Sequence, residues 1–304
     1  MDSSGIENTG VGDYEVIELV GEGSFGKVYK ERRKSSGETV AIKYISIGGK
    51  DEDYRLNLRK ETDFLKGLKH GNIIGILDSF EIEKEFCVVT EFAQDDLSKF
   101  LKDGKGLPEK QVQAIAIQLI GALQYLRSKD IIHRYMKPQN IRTAGSIVKV
   151  CDFGFAQARQ SIKGKTLYMA PELVQEQPYN RTADLWSLGV ILYELFVGQP
   201  PLRTNSVGAL ITEDLVEYLD NMSVSRSFKS FLQGLLIKDS QQRLRWSDLL
   251  KHLFVKDASA EMDMKLCAHT SSLRGFGGAV RQDENVQKPT CFTGASLEIG
   301  GYRC

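Results

Sequence analysis

The chain has 304 residues, 41% hydrophobic and 26% charged, enough for one or two domains with substantial cores. Its 40 Lys and Arg balance 40 Asp and Glu, so no basic excess points to nucleic acid or an anionic membrane surface as partner. Five scattered cysteines (Cys87, Cys151, Cys267, Cys291, Cys304) lack metal-ligand spacing and favour a reducing compartment. The stretch from Met1 to Gly12 carries no apolar leader core, and no apolar run is long enough to span a bilayer. A cytoplasmic protein with no membrane segment is the expectation.

Residues 1–13 read as a flexible arm. Val16, Ile17, Leu19 and Val20 mark a first strand, closed by a glycine-rich turn. Val28 and Tyr29 mark a second strand, and Thr39 to Lys43 a third. A helix near Asp53 to Leu68 comes next, then strands around Ile73 to Phe80 and Phe86 to Glu91. Between Pro108 and Leu126, Val112, Ile115, Leu119, Ala122 and Leu126 recur at helical spacing. Further helices are expected at Asp184 to Val197, Ser206 to Leu219, Phe228 to Leu236 and Trp246 to His252. Strands first and helices later predict an α+β protein of two lobes. A small β-rich N-lobe would span about 14–91, a connection 92–95, and a large helical C-lobe 96–254. Residues 255–304, rich in Gly, Ser and Thr, read as a loosely ordered tail.

Several motifs carry chemistry. Gly21-Glu22-Gly23-Ser24-Phe25-Gly26-Lys27-Val28 has the glycines of a phosphate-covering loop, where a Cβ would obstruct the backbone's approach to phosphate. A dinucleotide-binding turn has similar glycines but leads into a helix, whereas here a strand follows. Leu58, Glu61, Leu65 and Leu68 share one helical stripe, so Glu61 points inward and needs a cation, for which Lys43 is the natural candidate. With that helix one residue out of phase, Lys43 is a solvated strand lysine instead. Asp152-Phe153-Gly154 closes the apolar strand Ile147 to Cys151 and offers a carboxylate for Mg²⁺. Asn140 offers an amide oxygen for a second magnesium contact, and Lys137 a cation near a transferred phosphate. Glu172 and Arg243 would form a structural ion pair. Asp184 would accept backbone hydrogen bonds from the loop around His133.

Together these motifs resemble a eukaryotic protein kinase over about residues 14–254. More narrowly, "VIELVGEGSFGKVYK", "FCVVTEFAQ", "KPQNI", "CDFGFA" and "DLWSLGVILYELFVGQPP" are similar to the Fused family of serine/threonine kinases, the plant members above all. The resemblance implies a two-lobed kinase fold, ATP with Mg²⁺, and a protein substrate or partner. It also implies nucleotide contacts from Val20, Gly21, Glu22, Gly23, Ser24, Phe25, Gly26, Val28, Ala41 and Lys43. Thr90 would be the gatekeeper, with adenine contacts at Glu91 and Ala93 and metal contacts at Asn140 and Asp152. Tyr135, Lys137, Lys43 and Glu61 would occupy the catalytic positions.

The pattern is broken at its centre. In His133-Arg134-Tyr135-Met136-Lys137-Pro138-Gln139-Asn140, Tyr135 stands where the resemblance places an aspartate that accepts the substrate proton. A phenol of pKa ~10 is neutral at working pH and cannot fill that role in the same way. Arg142 falls where the family has a leucine flooring the adenine pocket, which should weaken nucleotide binding. Lys165-Thr166 replaces Thr-Pro, and the segment between Gly154 and Ala170 is short. The residues expected to stack as an internal spine (Leu65, Ile76, Phe153 and His133, with Asp184 beneath) are suitable. Three readings stay open: a folded pseudokinase, a working but slow Ser/Thr kinase, and a decayed or misread gene copy.

Overall fold

The computed structural model describes residues 11–23, 26–134, 136–152, 166–202 and 223–256. Five strands open the chain: β1 (Tyr14–Gly23), β2 (Gly26–Arg33), β3 (Thr39–Ser46), β4 (Ile76–Ile82) and β5 (Glu85–Glu91), with helix α1 (Glu52–Lys66) inserted after β3. They form one antiparallel sheet in the order β1-β2-β3-β5-β4. A second sheet joins the two-residue β6 (Asp95–Asp96) to β7 (Ile141–Ala144) and β8 (Ile147–Val150). The rest is helical: α2 (Glu109–Ser128), α3 (Pro171–Val174), α4 (Ala183–Val197), α5 (Arg226–Leu235) and α6 (Trp246–Leu249). The expected two-lobed α+β architecture is present.

Local chemistry explains the main elements. In α1, Asp51 caps the helix by accepting from the Tyr54 N–H at 2.8 Å, acids fill the first turn and Lys66 the last. Helix α2 buries Val112, Ile115, Leu119, Ile120, Leu123 and Leu126 along one face. Helix α4 is buried on nearly every side, which fits its continuous apolar run, and ends at Gly198 in a left-handed conformation with φ 87°. The expected helix at 206–219 and the tail lie outside the described residues, and α6 stops at Leu249 rather than His252.

Two differences from expectation have clear causes. The fourth strand begins at Ile76 rather than Ile73, because Ile73 bridges Val150 and the Ile74 N–H donates to the Val150 carbonyl at 2.9 Å. That segment is further pinned by Asn72, whose side chain donates to Gln118 at 2.8 Å and to the Val148 carbonyl at 2.9 Å. Strand β7 was not legible in the sequence because it is only four residues long and carries Arg142 and Thr143.

Two apolar clusters hold the molecule together. The larger runs from Ile45, Phe86 and Val88 on one face of the N-lobe sheet through α1 into α2, α4 and α5. The smaller covers the opposite face, around Tyr14, Val40, Ile42, Tyr44, Cys87 and Val89. Within it Tyr14 stacks on Phe80 and Tyr29 meets Tyr44 edge-on, with ring centroids 5.9 and 5.5 Å apart. Glu31 is fully buried beside this cluster. It accepts the Tyr44 hydroxyl at 2.7 Å through one oxygen while the other has no partner, and burial pushes its carboxyl up.

Candidate functional site

Strand period and register decide which side chains reach the cleft. Val28, Lys30, Ala41, Lys43, Val88 and Thr90 share one face of the sheet. This is the face that carries Val88 and Ile45 into the larger cluster. Val20 sits in an irregularity of β1, between the paired Leu19 and Gly21. The glycines divide by role: a Cβ on Gly26, at φ 119°, would lie 1.8 Å from the Tyr44 carbonyl oxygen, so this position is fixed by β3 itself. At Gly21 and Gly23 a Cβ would meet no described atom within 4 Å.

Across the cleft, Asp184 organises the loop that carries His133. Buried on α4, it accepts the N–H groups of His133 at 2.9 Å and Arg134 at 2.8 Å. The His133 ring Nε2 lies 2.9 Å from the Cys151 carbonyl, and the Cys151 N–H donates to the Asn140 carbonyl at 2.9 Å. These bonds hold Asn140, itself buried, beside the residue before Asp152. Lys137 is partly buried and leads into the 3-10 turn Pro138–Asn140. Tyr135, Ser24, Phe25 and Phe153 lie outside the described residues, as do residues 154–165.

Asp152 has φ 61°, a left-handed backbone that aspartate tolerates better than most residues. Its Oδ1 accepts from Lys43 Nζ at 2.8 Å. Burial pushes the Asp152 carboxyl up, but the Lys43 ammonium, with Arg142 and His133 behind it, outweighs this and holds the group below its ordinary value.

The expected Lys43–Glu61 pair is corrected here. The buried stripe of α1 is Leu58, Thr62 and Leu65, so the helix is turned and Glu61 falls at the stripe's edge, half-buried. Among the ion pairs of the described residues, Lys43 is with Asp152, and the cation whose charge acts on Glu61 is Arg134. Burial dominates that balance and raises the Glu61 carboxyl to about 7. Because the folded pKa lies above the unfolded one, this group's stabilising contribution is full below the unfolded value and lost as pH rises through about 7. Glu61→Gln is therefore expected to flatten the decline in unfolding free energy between about pH 5 and 8, measured by denaturant titration at a series of pH values. An unchanged pH slope would contradict the assignment.

Glu91 and Ala93 lie at the lobe connection. The Glu91 side chain is on the sheet's outer face, accepting from the Gly75 N–H at 2.7 Å and from Lys149 Nζ at 2.5 Å. Its own N–H donates to the Gly75 carbonyl at 3.1 Å, so a ligand contact from Glu91 would have to come from the carbonyl. Arg142 on β7 reaches Asp96 at 3.9 Å. Sequence reasoning missed the Lys149–Glu91 contact, because nothing in the isolated strand Ile147–Val150 shows that its lysine faces the connection.

A two-lobed molecule with glycines on paired β1 and β2, a strand lysine bound to a left-handed aspartate, and a loop hung from a buried α4 aspartate is a protein kinase in architecture. The family model for the protein kinase domain matches residues 14–255, and the chain belongs to that family. It is 57% identical over 294 residues to serine/threonine-protein kinase TIO of Arabidopsis thaliana, covering 90% of this chain and 22% of that protein. Serine/threonine-protein kinase 36 of Mus musculus is 53% identical over 253 residues, covering 80% of this chain and 19% of the relative. Serine/threonine-protein kinase fused of Drosophila melanogaster is 43% identical over 254 residues, covering 80% and 31%. The chain thus spans between about a fifth and a third of the length of these curated relatives. Among the described residues no helix is long and apolar enough to cross a membrane.

Proposed function

We propose that this chain is a Fused-type kinase-fold protein that binds ATP in the cleft and has lost, or retains only weakly, phosphoryl transfer to protein Ser or Thr. The observation that carries the reading is Tyr135, set in a loop whose supports are otherwise complete. Asp184 holds the loop backbone, His133 braces Cys151, and Lys43 meets Asp152. A neutral phenol in place of the carboxylate removes general-base assistance worth roughly 10²–10⁴-fold.

The donors suit the group the family uses. Asn140 and Asp152 would supply an amide and a carboxylate oxygen, hard donors of the kind Mg²⁺ takes. Bound Mg²⁺ would neutralise phosphate charge. Lys43 would grip the phosphates, Gly21 and Gly23 would admit them under β1, and Val28 and Ala41 would pack against the base. Arg142 replaces an apolar floor with a charge and lowers affinity for adenine. The occupants are ATP and a protein partner or substrate in the cytoplasm, without nucleic acid or membrane.

A slow active kinase is the second reading, favoured by the intact Asp184–His133–Cys151 network. The nucleotide half of the proposal is tested by thermal denaturation with Mg-ATP. A rise in melting temperature of a few degrees is expected at millimolar nucleotide, the shift of weak native-state binding (about 1 kcal/mol). No shift at any nucleotide concentration would sink it.

A further inference from the structure

The turn between β2 and β3 carries chemistry that the cleft does not use. Arg32, Arg33 and Lys34 run directly into Ser35 and Ser36. Ser35 therefore has guanidinium side chains two and three residues before its hydroxyl, a spacing that the carboxylates of an arginine-directed protein serine kinase read through paired hydrogen bonds. Residues 34–38 are exposed. Two backbone bonds close the turn, from the Arg33 N–H to the Glu38 carbonyl at 2.8 Å and from the Gly37 N–H to the Arg33 carbonyl at 2.7 Å. An enzyme can open that tip while the β2–β3 pairing, which begins at Arg32 and Thr39, stays in place.

What the hydroxyl touches decides the consequence. The Ser35 hydroxyl donates to the Asp13 carboxylate, and the Ser35 N–H donates to the same carboxylate at 3.1 Å. The Lys34 N–H donates to the Asp13 carbonyl at 2.7 Å, and Lys34 Nζ to the Gly12 carbonyl at 2.9 Å. These bonds strap residues 12–13 to the turn immediately before Tyr14, which is buried in the smaller apolar cluster with Val11 packed against it. A phosphate on Ser35 would replace the donor with acceptor oxygens carrying a charge of about −2, facing a carboxylate that is also acceptor-only. The nearest cations are already engaged: Arg33 is held by the Tyr14 hydroxyl at 2.7 Å and Glu38 at 3.5 Å, and Lys34 by Gly12. Like-charge repulsion at the strap therefore prevails.

We propose that Ser35 is a site of phosphorylation by an arginine-directed serine kinase, and that the phosphate expels Asp13 and loosens the start of β1. The γ-phosphoryl group of ATP passes to Ser35 Oγ, its bond to the bridging oxygen breaks to release ADP, and the hydroxyl proton leaves to the modifying enzyme's base. The inference stands apart from whether this chain itself binds nucleotide.

In the test, the full chain is incubated with ATP and the catalytic subunit of cyclic-AMP-dependent protein kinase. Mass spectrometry maps the phosphate, and amide hydrogen exchange is compared before and after. Incorporation is expected at Ser35, lost in Ser35→Ala and slowed about tenfold or more in Arg32→Gln, whose side chain is exposed. Exchange at the Tyr14, Lys34 and Ser35 amides should quicken by about tenfold or more on phosphorylation. In Asp13→Asn, which removes the charge and keeps the shape, phosphorylation should change exchange by less than about twofold. Phosphate placed elsewhere, incorporation without the added kinase, or indifference to Arg32→Gln would overturn the site. Unaltered exchange in the phosphorylated wild type, or equal quickening in Asp13→Asn, would overturn the release of Asp13.

Discussion

Tyr135→Asp is expected to raise phosphoryl transfer to a generic protein substrate by about 10²–10⁴-fold, the usual worth of a positioned general base. The expectation follows from what surrounds position 135. The backbone N–H groups of His133 and Arg134 are already bound to Asp184, and Asn140 and Cys151 are tied to each other. A carboxylate introduced there would enter a loop whose course is set by neighbours, so the gain would be chemical and little of it spent on ordering. The measurement is kcat/KM with saturating Mg-ATP, compared with wild type. A rise confined to kcat identifies an interaction made in the transition state. If the variant stays silent while still binding ATP, then Arg142 and the short segment after Gly154 block turnover independently of the base.

Arg243→Leu is expected to destabilise the C-lobe by about 3–5 kcal/mol, the cost of leaving a buried charge without its partner. Arg243 is 1% exposed, and its Nη atoms donate to both oxygens of Glu172 at 2.8 and 3.0 Å. It also donates to the carbonyls of Ile237, Thr182 and Lys238, and its guanidinium lies 5.3 Å from the centroid of Trp186. Leucine would strand the Glu172 carboxylate and those carbonyls together. Arg243→Leu with Glu172→Leu should recover part of the loss, because removing both charges removes the desolvation penalty of the orphan. Denaturant unfolding measures both variants. A single-variant loss under about 1 kcal/mol would show that the pair contributes little.

The sequence made the fold legible wherever periodicity and turn chemistry were strong. The glycine turn into β2, the alternation of β3, the apolar face of α2 and the unbroken run of α4 are each visible in one dimension. The Glu172–Arg243 pair and the bonds from Asp184 to the 133–134 backbone were expected as parts of the kinase motif series, which the resemblance implies and spacing alone does not show. What failed was angular. Reading Glu61 into the stripe of α1 required the helix phase to be right within one residue, and Thr62 holds the buried position instead. Lys43 consequently meets Asp152, a partner 109 residues away that the helical pattern does not reveal. The side chain of Glu91 was equally hidden, since its partners Gly75 and Lys149 come from segments whose proximity is a tertiary fact.

On the proposed reading, the nucleotide site is kept while phosphoryl transfer is lost or nearly so. Radiolabelled phosphate incorporation by the wild-type chain, measured against Lys43→Met with Tyr135→Asp as the positive control, tests it most directly. The expected result is wild-type incorporation indistinguishable from Lys43→Met, with signal from Tyr135→Asp. Clear wild-type turnover that Lys43→Met abolishes would overturn the pseudokinase reading and establish a working serine/threonine kinase.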